Sequence, residues 1–158
     1  MSARRAGRLG LAALLLLGGP ALAEPVMQVH DSSGAVLGAL PMPAGAEICL
    51  NWAHSVTGGA VADCFEQRSL TLVLTRSYLH DFAAGLGDIE GRGRIEPAEG
   101  GGYWILDMDE PVADNRLALR VGQAGVDHRL SGPAGHLALS QIAPGARVVL
   151  SLDTAQRP

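Results

Sequence analysis

The chain has 158 residues, and its twelve basic residues, all arginine, face sixteen acidic ones for a formal charge of −4. That length suits one domain with one core. The acidic balance disfavours a nucleic-acid partner, because binding phosphates needs a basic face.

The amino terminus has the parts of a secretory signal. Arg4, Arg5 and Arg8 form the positive end, and Leu9 to Leu17 form an apolar run well below the roughly 20 residues of a spanning helix. Gly18, Gly19 and Pro20 break the run, and Ala21-Leu22-Ala23 supplies the small residues a signal peptidase needs, so cleavage is expected after Ala23. Residues 1–23 are thus read as a signal peptide and residues 24–158 as a single β domain. The destination is the periplasm, with no cysteine near the cut for a lipid anchor and no stable membrane insertion after cleavage. Removing three of the twelve basic residues and none of the sixteen acidic ones takes the formal charge from −4 to −7.

The mature chain reads as about ten short strands separated by turns. In chain order they are Val26 to His30, Ala35 to Leu40, Ala46 to His54, Ala60 to Gln67, and a run in which Leu70, Leu72 and Leu74 alternate with polar residues. Gly102 to Met108, Leu117 to Val121, Asp127 to Ser131, His136 to Gln141 and Val148 to Leu152 follow. Turn residues such as Ser33-Gly34, Gly58-Gly59, Gly132 to Gly135 and Pro144-Gly145 lie between them. No window carries a sustained helical period with caps, so the fold class is all-β, an antiparallel β-sandwich or small barrel. Tyr78 to Glu99, rich in Gly and charge, is the one long interruption.

Chemistry is concentrated between Ile48 and Phe65. Cys49 and Cys64 are the only cysteines, and in an exported chain a disulfide is their first reading, against reduced core cysteines or a metal pair. A hairpin turning through Val56 to Gly59 sets them opposite each other. His54, Ser55 and Asp63 offer the base, hydroxyl and carboxylate of nucleophilic catalysis. Adjacent strand residues point to opposite faces, however, and no GxSxG elbow is present, so no catalytic residue is assigned. His54, Asp63, His80, Asp81 and His128 are potential metal ligands without a recognised spacing, and no metal or cofactor is assigned. His54 and Asp63 could instead meet across the hairpin as a buried polar pair. Arg120 points to solvent or pairs with a buried carboxylate such as Asp63. The candidate polar site is therefore His54, Ser55, Asp63, Arg120 and His128. Ile48, Leu50 and Trp52 share a core face, with His54 continuing it at the rim. Tyr103 and Trp104 point to opposite sides of their strand.

His54-Ser55-Val56, followed by Val61, Asp63 and Phe65, resembles the His-Ser-Val signature of the domain-of-unknown-function 1850 family. Ala83-Ala84-Gly85-Leu86 is similar to that family's GAGL segment, and Gly102-Tyr103, Leu117 to Val121, His128-Arg129-Leu130 and Pro144-Gly145 follow in order. Thr57 and Asp63 stand where the family often has Glu, Ala83 where it has Gly, and Gly87 where Pro is common. The resemblance implies a small periplasmic protein associated with a TAXI-type TRAP transporter, whose substrates are generally organic acids captured by a separate receptor. It implies as partner the membrane component of that system or its solute receptor. The reading from another class is a stand-alone periplasmic small-ligand or metal-binding module.

Overall fold

The computed structural model describes residues 24–81 and 91–154. They form an all-β fold of twelve strands, every pairing antiparallel, in a four-stranded and an eight-stranded sheet. The smaller sheet contains β1 (Val26–His30), β2 (Val36–Pro41), β9 (Arg116–Arg120) and β12 (Arg147–Asp153), in the order β2-β1-β12-β9. The larger contains β3 (Glu47–Ala53), β4 (Ala60–Arg68), β5 (Thr71–Leu79), β6 (Arg94–Pro97), β7 (Tyr103–Leu106), β8 (Glu110–Pro111), β10 (Arg129–Gly132) and β11 (Gly135–Ala138). Its order is β11-β10-β3-β4-β5-β7-β6, with β8 beside β5. Among the described residues no helix is long and apolar enough to cross a membrane.

The two-residue period that places side chains on alternate faces also builds the core. Met27, Val29, Val148, Leu150 and Leu152 come from the small sheet, and Ile48, Leu50, Val61, Phe65, Leu79, Ile105 and Leu130 from the large one. All ten expected strands are present, some with shifted ends. Two more, β6 and β8, fall where proline, charge and short length hide any alternation. Leu70 corrects the expected run: it is exposed, at φ 64°, and with Ser69 at φ 50° it makes the turn that precedes β5. The segment expected as a strand from His136 to Gln141 ends at Ala138 and continues as the helical turn α1 (Leu139–Ile142). The GAGL-like segment, Ala83 to Leu86, lies outside the described residues, as do residues 1–23.

Candidate functional site

Three pieces of chain meet beyond the ends of β3 and β9. The first is the β3–β4 turn. His54 N–H donates to Gly59 O (2.7 Å), Gly58 N–H donates to His54 O (2.8 Å), and Gly58 takes φ 73°, a value that favours glycine. His54 Nδ1 accepts the Thr57 N–H at 3.3 Å, which in the neutral ring leaves the proton on Nε2. His54 is half-buried and Ser55 exposed.

The second piece is the β9–β10 loop. Ala53 N–H donates to Val126 O (2.7 Å), docking the loop on the end of β3. A Cβ on Gly122 would lie 2.4 Å from Val126 Cβ, so only glycine permits this closure. Gly122 N–H donates to His128 Nδ1 at 2.8 Å, again placing the proton of a neutral ring on Nε2.

The third is Ser140 in α1. Its hydroxyl accepts the His128 N–H (2.9 Å) and donates to Gly122 O (2.8 Å), tying together both ends of the loop. His128 is buried and stacks on Trp52, with centroids 5.8 Å apart and planes 21° apart. Burial holds its pKa below the ordinary histidine value, so the ring favours the neutral form.

These pieces enclose a cleft of about 380 Å³ lined by Trp52, His54, Ser55, Arg120, Gln123 and His128 with Val121, Gly122, Val126 and Gly145. Its polar groups are a guanidinium, two imidazoles, a hydroxyl and an amide. No carboxylate is among its described lining residues. Arg120 is exposed and makes no ion pair among the described residues, so the solvent-facing alternative describes it and the Asp63 pairing does not.

A family model described as Domain of unknown function (DUF1850) matches residues 48–139, more than half of the chain. The protein belongs to this family. No curated protein and no solved structure matches the chain. The matched span of the DUF1850 domain runs from β3 through β11 and contains both cysteines and every residue of the candidate polar site.

Asp63 does not join the others. In the DUF1850 hairpin it stands opposite Leu50 in the β3–β4 register, on the core-facing side and two ladder positions from Trp52. Ser77 Oγ donates to Asp63 Oδ1 at 2.6 Å. Burial raises the Asp63 pKa, the Ser77 bond and the charge of Arg92 oppose the rise, and Glu110 adds to it. Arg92 is itself held by Glu110 through bonds of 2.7 and 3.2 Å. The expected His54–Asp63 pair is therefore replaced by an Asp63–Ser77 pair beside Arg92–Glu110, and His54, Ser55 and Asp63 do not form a nucleophile relay. Nothing in the local sequence links Asp63 to Arg92 or His128 to Ser140, because each pair depends on how distant strands order themselves.

The outer side of the hairpin carries the disulfide. Cys49 and Cys64 are bonded across the ladder, with Cα atoms 4.0 Å apart, as the register places them. Beside them Arg76 donates to Glu47 (2.9 and 2.5 Å) and lies 4.5 Å from the Trp104 ring centroid. Tyr103 enters the core while Trp104 stays on this outer side, so the arginine covers the second aromatic. Glu47 with the two cysteines is the one grouping of three potential metal donors among the described residues. Its sulfurs are bonded to each other, so it supplies no thiolate ligand.

Proposed function

We propose that this DUF1850 protein is an exported, non-enzymatic accessory of a TAXI-type TRAP transport system, and that its cleft takes a small carboxylate. The observation that carries the binding role is the cleft's composition. Arg120 offers a fork that matches carboxylate geometry, and the Nε2–H groups of His54 and His128, whose Nδ1 atoms accept backbone N–H groups, and the Ser55 hydroxyl supply further donors. A cationic ligand would meet no counter-charge among those residues.

Export is supported by the amino-terminal charge and apolar run and by a disulfide suited to an oxidising compartment. The transport role is supported by family membership, with the association that the family resemblance implies, and by agreement between an anion-accepting cleft and organic-acid substrates.

Two measurements test the proposal separately. Calorimetric titration with succinate or glutamate should show binding that Arg120→Ala abolishes, and equal heats for both proteins would overturn the cleft assignment. Affinity capture of the tagged protein from membranes of its own cell should recover a transporter subunit. If no transporter subunit is recovered while carboxylate binding persists, the stand-alone ligand-binding reading replaces the accessory one.

A further inference from the structure

The described arginines divide between the two sheets. Arg68, Arg76, Arg92, Arg94 and Arg129, all in or beside the large sheet, each have a carboxylate partner. Arg116, Arg120 and Arg147, on the outer face of the small sheet, have none among the described residues. All three are exposed, and Arg120 stands directly across the ladder from Arg147. Opposed like charges cost stability in a sheet. Asp31, which borders the pocket between these two arginines, accepts instead from the Ser33 and Ala35 N–H groups of its own turn.

The same face ends in an open edge. Among the described residues β9 is the last strand of the small sheet and pairs only with β12. Val121 N–H donates to Ala146 O (2.9 Å) and Val121 O accepts from Gly145 N–H (3.0 Å), so by the antiparallel alternation Leu119 and Leu117 also bond toward β12. The backbone groups of Ala118 and Arg120 then face away from the sheet, and they have no partner among the described residues. The opposite edge is closed differently, since a Cβ on Gly38 of β2 would lie 3.0 Å from Leu137 of β11. In the large sheet, β6 is blunted by Pro97 and by its paired charges.

We propose that β9 is a docking edge that accepts an extended acidic segment of a partner protein as a fifth strand of the small sheet. Ladder bonds to Ala118 and Arg120 give the segment its register, and carboxylates on its outer face meet Arg116, Arg120 and Arg147. Its other face lays apolar side chains beside the half-buried Leu117 and Leu119. The charge pattern selects the occupant. Two copies of β9 paired antiparallel about Ala118 would set Arg116 against Arg120 twice, so self-pairing is disfavoured. A lipid surface could meet the arginines but cannot complete a backbone ladder. The docking edge shares Arg120 with the cleft, but Arg116, Arg147 and Ala118 lie outside it, so a test built on those three survives the cleft's failure.

The test uses the mature protein and a short synthetic peptide alternating glutamate and valine, followed by amide hydrogen exchange. The peptide should slow exchange at Ala118, and the double variant R116E/R147E should weaken binding at least about tenfold while accepting a lysine–valine peptide. Ala118→Pro removes an outward N–H without breaking an internal ladder bond, and should abolish binding with the melting temperature kept. Should that variant fail to fold, the arginine pair carries the test. Unchanged exchange at Ala118, or equal peptide affinity in R116E/R147E, would overturn the proposal. So would binding of phosphatidylglycerol vesicles that the arginines control and Ala118→Pro leaves intact, which would make this face a membrane contact.

Discussion

Trp52 and His128 stack ring on ring at 5.8 Å, so the floor of the cleft rests on the core side of the disulfide-bearing hairpin. The contact joins β3 to the β9–β10 loop, and Trp52 also packs against the main core. Trp52→Ala should cost about 3 kcal/mol. Trp52→Phe, which keeps an aromatic face, should cost below about 1.5 kcal/mol. Urea unfolding checks both values, and a Trp52→Ala loss below that of Trp52→Phe would show that the stack bears no load.

His128 makes stability depend on pH in a defined direction. Its folded pKa lies below the ordinary value of 6.5, so in the window between the two the unfolded chain takes up a proton that the folded protein refuses. Nothing is contributed well above that window. Stability falls as the pH drops through it. Asn at position 128 retains an acceptor for the Gly122 N–H and cannot titrate. From about pH 7.5 to about pH 5.5 the wild type should therefore lose more unfolding free energy than His128→Asn. Parallel pH profiles would contradict the assignment.

Period-two alternation made most of the strands legible, because one face of each is buried against the same core. Leu70 misled the pattern: its apolar side chain continued the period, but a turn with two positive-φ residues claimed the position. β6 and β8 carry too little apolar content to signal themselves. His54, Ser55, Arg120 and His128 were legible as polar residues at strand ends, and the fold brings them to one cleft. Asp63 was grouped with them by its nearness in sequence, whereas strand parity sends its side chain to the core side, beside Ser77 of β5. Ser140 left no local sign, since its role exists only when α1 reaches the base of the loop.

The Cys49–Cys64 bond closes a separation of 15 residues, for which chain entropy predicts about 3 kcal/mol. It lies on the outer side of the hairpin, away from Ile48, Leu50, Val61 and Phe65. Cys49→Ser/Cys64→Ser should consequently lower stability by about that amount while the chain keeps its sheet content. Chemical denaturation with circular dichroism tests this, and mass measurement of the purified protein with and without reductant tests the bond itself. Two free thiols in the protein purified without reductant would sink the prediction.

Asp63 has the opposite linkage to a surface carboxylate. Its folded pKa is raised, chiefly by burial, so the folded state holds the proton more tightly than the unfolded chain does. The group therefore favours folding at acid pH, and this contribution is lost as pH rises through the unfolded value of about 3.9 toward the folded one. At neutral pH the buried charge is a net cost. Asp63→Asn removes the charge and keeps an oxygen to accept the Ser77 hydroxyl, while Arg92 remains held by Glu110. The variant should be more stable than the wild type at pH 7, with the gain shrinking as pH falls from the raised folded pKa toward about 4 and gone below it. Ser77→Ala should act in the other direction, costing about 1 to 3 kcal/mol by leaving the carboxylate without its donor. Thermal unfolding of both variants across this range decides the matter, and an Asp63→Asn protein less stable than wild type at pH 7 would mean that the charge interaction with Arg92 outweighs burial.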